Sequence, residues 1–185
     1  MKNYCLAFFV FLAALLNYSF AQHHTPNFKE FASQIEPTDS VEIDIKYKNG
    51  VQKVQGKRIR YEYGNYVYEY SIGKWIEYYR NGNVANEIEY DNFGNMLVYK
   101  WFSNDDGALM FESKSIKIDT KAKTIKDFLN PKKYFEILTY NKKYDYSFKE
   151  CKWYLRCEGQ MLNNTKIGTW KKYHKNGQLK KEVLH

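Results

Sequence analysis

The sequence predicts an all-β fold: stacked β-hairpin repeats forming an extended or curled antiparallel sheet, with a short N-terminal helix. Three observations carry that prediction. Beyond residue 40, apolar and polar side chains alternate with a period of two, as in "VEIDIKY" over 41–47, the pattern of a half-buried strand. Turn-forming pairs recur between such runs, at Asn49-Gly50, Gly64-Asn65, Asn81-Gly82, Gly94-Asn95, Asp106-Gly107, Glu158-Gly159 and Asn176-Gly177, so successive strands join as hairpins. One phrase also occurs twice: "IGKWIEYYRNG" over 72–82 and "IGTWKKYHKNG" over 167–177 share six of eleven residues without a gap, 95 positions apart. Such self-similarity marks one structural unit stacked on another.

In chain order, residues 1–21 read as a cleaved secretory signal. Lys2 precedes the twelve-residue apolar run "CLAFFVFLAALL", and "SFA" ends at Ala21 with the small residues of a cleavage site. Twelve residues fall short of the ~20 that a spanning helix needs. The expected product is exported: periplasmic, outer-surface or secreted. Residues 22–40 form an N-terminal helix and linker. "NFKEFASQIEP" places Phe28, Phe31, Ala32 and Ile35 on one helical face, with Asn27 as cap and Pro37 beyond the end.

Residues 41–185 read as a single β-repeat domain. The first strand closes at Asn49-Gly50, where a type I′ turn is expected. "RIRYEY" puts Ile59, Tyr61 and Tyr63 on one side, and Gly64-Asn65 turns the chain into "YVYEYS". Residues 113–150 carry no copy of the phrase and form a non-repeat insertion or heavily diverged repeats. Within them "SIKID" and "YFEILTY" read as strands, and "KTIKDFLNP" as one or two helical turns stopped before Pro131. "CKWYLRC" reads as a strand with Cys151, Trp153, Leu155 and Cys157 on one face. Its ends would lie about 20 Å apart, beyond the ~4.4–6.8 Å that a disulfide bridges. Two buried thiols beside Trp153 are expected; a bridge, which export favours, needs the strand to break.

The repeated phrase has a physical logic. Asn81-Gly82 and Asn176-Gly177 make tight turns. Gly73 and Gly168 lack a Cβ, so a neighbouring ring can lie on the backbone there. Trp75 and Trp170 supply ~150–250 Å² each to cover it. A looser third copy, "YKWFSNDDGALMFE" over 99–112, contains Trp101, and "YKNG" over 47–50 is a fourth reduced to its turn. Because Ile76 of the first copy is replaced by Lys171 in the second, neither face is consistently apolar. A thin sheet with rings on both sides is expected rather than a sandwich with one thick core.

These units resemble the bacterial variant of the MORN repeat, which runs roughly Gly-x-Trp-x-x-Tyr-Tyr-x-Asn-Gly-x-Leu before a second strand. Gly73, Trp75, Tyr78, Tyr79, Asn81, Gly82 and Val84 fit in order, as do Gly168, Trp170, Tyr173, Asn176, Gly177 and Leu179, with His174 at the second tyrosine. The resemblance implies a stacked-hairpin sheet and a bacterial source. It also implies the functions of such proteins: scaffolds, membrane-associated platforms or members of an antitoxin-like group.

Charge and chemistry narrow the function further. Beyond residue 21 the chain has 28 Lys/Arg against 21 Asp/Glu, with a net charge of −4 over 22–113 and +11 over 114–185. No metalloprotease, nucleophile-elbow, phosphate-loop or CxxC motif occurs, so no catalytic residue, cofactor or small-molecule substrate is assigned, and the chain is read as a non-enzyme. Cleavage after Ala21 would expose Gln22-His23-His24, a set of nitrogens suited to square-planar Cu(II) or Ni(II). That cluster is too small to assign a metal, and none is expected. The candidate binding surface is Tyr78, Tyr79, Lys171, Lys172, Tyr173 and His174. Its expected partner is a protein or an anionic envelope surface, not nucleic acid. An aromatic carbohydrate-binding module is the alternative, and it requires several rings exposed along one face.

Overall fold

The computed structural model describes residues 23–185; the expected secretory leader lies outside them. A short helix α1 (Pro26–Ala32) precedes ten strands, β1 (Asp39–Lys46), β2 (Gln52–Tyr63), β3 (Tyr66–Tyr78), β4 (Val84–Tyr90), β5 (Met96–Phe102), β6 (Leu109–Thr120), β7 (Phe135–Ser147), β8 (Lys152–Leu162), β9 (Thr165–Tyr173) and β10 (Leu179–Leu184). Two helical turns, α2 (Ile125–Phe128) and α3 (Pro131–Tyr134), join β6 to β7. The strands lie in sequence order in one open antiparallel sheet, so each pairs with its chain neighbours, as in a repeat array. The segment without the phrase, 113–150, adds most of β6 and all of β7 to that sheet and holds both helical turns between them.

The hairpins are built differently from the expected type I′ turns. At residues 47–51 the Tyr47 N–H donates to the Val51 carbonyl (2.8 Å) and Gly50 N–H to the Tyr47 carbonyl (2.9 Å). Only the glycine has positive φ, +83°. This is a three-residue loop, a type I turn followed by a left-handed glycine. The same bonds close the hairpins at Gly82, Gly94 and Gly177. Asparagine serves here through its side chain: the Asn81 carboxamide oxygen accepts from Asn83 N–H (3.0 Å), and that of Asn176 from Gln178 N–H (3.1 Å). The I′ conformation appears instead at Asn163-Asn164, both with positive φ. Glu158-Gly159, expected as a turn, lies inside β8.

Each of these hairpins carries one extra residue on its returning strand, as does the one closed at Gly107. Lys53, Ala85, Leu97, Met110 and Lys180 fall between successive paired positions. Such bulges increase local twist, and their repetition is why one period-two pattern cannot be followed along the whole chain.

Helix α1 is capped by Thr25 rather than Asn27: the Thr25 hydroxyl accepts from Phe28 N–H (3.3 Å), while the Asn27 carboxamide donates to the Thr120 carbonyl (2.7 Å). The helix ends at Ala32, and Ile35 is buried beyond it. A compact core also departs from the thin-sheet expectation. Phe28, Phe128 and Leu129 pack with Ile59, Tyr61, Phe93, Leu97, Ile118 and Phe135, at the end of the sheet where β2–β3, β4–β5 and β6–β7 are connected. The helical pieces plug that end, and the opposite end is a line of bare turns.

Candidate functional site

The two tryptophans do lie on glycines, but not on those of the repeated phrase. A Cβ added to Gly56 would lie 2.0 Å from Trp75 Cε3, and one added to Gly159 would lie 2.6 Å from Trp170 Cδ2. Beside Gly73 and Gly168 an added Cβ meets nothing within 4 Å, yet φ is +60° and +61°. The pairing explains the division of labour. Between Gln55↔Ile76 and Lys57↔Ile72, three residues of β3 (73–75) face the single Gly56. Between Glu158↔Lys171 and Gln160↔Ile167, residues 168–170 face Gly159. The phrase glycine bends the backbone outward, and its tryptophan folds back over the glycine of the preceding strand. Trp75 and Trp170 are 7% and 4% exposed, and Trp170 Nε1–H donates to the Gln160 carbonyl (3.0 Å).

Gly56→Ala is therefore expected to destabilise by about 1–3 kcal/mol through overpacking, with a shift in tryptophan emission as the ring is displaced. Gly73→Ala is expected to cost about 1–2 kcal/mol from the left-handed backbone alone, with emission unchanged. Denaturant melts followed by fluorescence check both.

Cross-strand pairing sorts the surface into rows. One begins at Ile43 opposite Gly56 and continues through Trp75, Ile88, Tyr99, Ser113, Asn141 and Gly159, to Trp170 and Val183. The other face carries a charge ladder. Glu87, Lys100, Glu112, Lys142, Glu158, Lys171 and Glu182 are successive direct partners from β4 to β10, strictly alternating in sign. Lys100 Nζ lies 3.6 Å from Glu87 Oε2. Among the described residues it is the one ladder pair closed as an ion pair, since Glu112 binds Lys114 (3.2 Å) and Glu158 accepts from Tyr173. The rest of the ladder is charge complementarity between facing positions, worth at most roughly 0.2–1 kcal/mol per cross-strand pair. This ladder is why that face is not apolar.

The six candidate binding residues do not converge. Tyr78 and Tyr79 sit at the end of β3 and the other four on β9 and its turn, six strands further along the sheet, a path of about 29 Å measured across the strands. The tyrosine hydroxyls are engaged within the sheet. Tyr78 donates to the Gln55 carboxamide oxygen (3.0 Å), and Tyr79 donates to the Phe102 carbonyl (2.8 Å) while accepting from Trp101 Nε1–H (3.1 Å). Tyr173 donates to the Glu158 carboxylate, which pushes the phenol up to about 12. His174 opens the last turn and is exposed. Lys171 belongs to the charge ladder, whereas Lys172 lies opposite Lys181. Trp101 is 41% exposed; counted back from its turn it occupies the place of Glu77, and Tyr99 that of Trp75.

Sequence reasoning missed how the turns are tied together. Tyr47 donates to the Tyr78 carbonyl (2.7 Å), and Asn81 and Asn83 both donate to the Asn104 carbonyl (3.2 and 2.9 Å). Trp153 Nε1–H donates to Asp106 (2.7 Å), a bond that holds this carboxyl below its ordinary range. The tyrosine and asparagine that precede Gly50 and Gly82 were the available sign. Nor did the sequence show the role of His24, which stacks on Phe28 at 4.4 Å with Nε2 2.7 Å from Asp91 Oδ2. The imidazole of the proposed square-planar set is thus engaged, and Gln22 lies outside the described residues. Among the described residues no group of three His, Cys, Asp or Glu is placed to hold a metal ion.

The thiols differ from expectation as well. Cys151 is in the β7–β8 turn with φ +48°, exposed, and Cys157 is half-buried; both are free. The expected strand starts one residue later, and Arg156 is an extra residue between Leu155↔Tyr144 and Cys157↔Lys143.

The model of the MORN repeat variant matches residues 72–92 and 166–185, the two stretches that hold Trp75 and Trp170 with the left-handed Gly73 and Gly168, while the glycines beneath the rings, Gly56 and Gly159, lie outside them. No curated protein and no solved structure matches the chain. Two segments of this chain are thus similar to that repeat, and in this chain they lie in the hairpins β3–β4 and β9–β10 of the open sheet. Among the described residues no helix is long and apolar enough to cross a membrane.

Proposed function

We propose that this chain is an exported, non-enzymatic binding or scaffold module for a protein partner or an envelope surface. The observation that carries this is the repeat-built sheet itself. Its buried polar side chains serve to hold strands and turns together, while the lysine-rich strands β9 and β10 stand largely in solvent. The all-β architecture and the repeat match support a non-catalytic, scaffold-type protein. Stacking on sugars would draw on the exposed rings Tyr63, Tyr66, Trp101 and Phe148, but the first two lie at one hairpin tip and the other two near the opposite end of the sheet, on separate hairpins.

Affinity capture with the tagged chain from the exported fraction tests the proposal. A stoichiometric protein partner, or salt-sensitive binding to anionic vesicles, is the expected result. Salt-insensitive binding on a glycan array, or turnover abolished by a single polar substitution, would overturn it. Recovery of the uncleaved chain from the cytosol would remove the exported part.

A further inference from the structure

Strand β10 is the last of the sheet, and among the described residues its outer edge has no partner. Such an edge presents unpaired N–H and C=O groups to any extended segment. Three side-chain rows end there unfinished. On one face the charge ladder stops at Glu182, whose inner neighbour is Lys171. On the other face Lys143, Cys157, Lys172 and Lys181 form a row that sets Lys172 directly opposite Lys181, a like-charge pair that destabilises a sheet. None of these three lysines belongs to an ion pair among the described residues. Two residues on, the tryptophan row stops at half-buried Val183, the partner of Trp170.

We infer that β10 is the docking edge for an extended segment of a partner protein, added antiparallel as an eleventh strand. The segment carries an apolar residue opposite Val183, Lys or Arg opposite Glu182, and Asp or Glu opposite Lys181. Along the incoming strand the order is apolar, cation, acid. The cation continues the alternating ladder, the acid relieves the lysine row, and the apolar residue extends the surface begun by Trp170. This rests on the binding function proposed above and names its site and ligand. Another copy's β1 never supplies the whole order: Val41 or Ile43 against Val183 brings Glu42 or Asp44 against Glu182, and Ile45 against Val183 sets Lys46 against Glu182 but offers Tyr47, not an acid, to Lys181.

The test uses two labelled synthetic peptides of equal composition, carrying Val-Lys-Glu or Val-Glu-Lys in the same flanks, titrated into the full chain by fluorescence anisotropy. Wild type is expected to prefer the first by about fivefold, as two cross-strand charge pairs dictate. The exchange K181E/E182K, at exposed positions and neutral in total charge, is expected to reverse the preference with tryptophan emission unchanged. Equal affinity, no binding, or a preference unmoved by the exchange would overturn the inference. So would association with anionic vesicles but with neither peptide, or self-association of the chain abolished by the exchange. A cellular partner captured equally by wild type and K181E/E182K would leave the binding function standing and remove β10 as its site.

Discussion

Replacing Trp75 or Trp170 with alanine is expected to lower stability by about 3–5 kcal/mol, a large share of a small domain's ~5–15 kcal/mol margin. Each indole is buried and fills the space over a glycine that has no side chain of its own. Truncation therefore uncovers two strands at once and leaves a cavity that neither can fill. Trp101→Ala is the control. That ring is 41% exposed, and its loss is expected to cost less than about 1 kcal/mol. Denaturant melts of the three variants decide the matter, and equal, small effects would show that burial over glycine is not what joins these hairpins.

The second large effect is expected at Phe128. Its ring is 0% exposed and touches Phe28, Phe93 and Phe135 with centroid separations of 5.0, 4.8 and 5.2 Å. It joins the β6–β7 connection to α1 and to the β4–β5 turn. Phe128→Ala is expected to cost about 3–5 kcal/mol and to release α1, seen as faster proteolysis near residues 23–35. Phe148→Ala provides the contrast: that ring is 86% exposed at the β7–β8 tip, so a change within about 0.5 kcal/mol is expected. Loss of stability without faster cleavage would mean that α1 is held independently, through Thr25 and Asn27.

Strand identity and the hairpin order were legible in the sequence because alternation and turn residues are local properties. So was Trp75 as a buried anchor, since its phrase recurs. The glycine beneath it was not, because Gly56 lies on another strand and becomes its platform only through a two-residue mismatch in pairing. Gly73 drew attention by standing beside Trp75, although its role is backbone conformation. The charge ladder was illegible for a related reason. Glu87, Lys100, Glu112 and Lys142 become neighbours only after each bulge has displaced its strand by one position. The candidate binding residues were chosen for type, and type does not reveal whether a hydroxyl is already engaged: those of Tyr78, Tyr79 and Tyr173 are. The position of Cys151 turned on one residue at a strand start, where a positive φ replaced the expected extended backbone.

The alternation of sign from β4 to β10 has a bearing on how such chains change length. Its period is two strands, one complete hairpin. Duplicating or deleting a whole hairpin leaves every remaining acid beside a base, whereas gaining or losing a single strand juxtaposes two of the same kind. Variants of this architecture should therefore differ by even numbers of strands through the charged region, a parity that electrostatics imposes alongside the up-and-down connectivity.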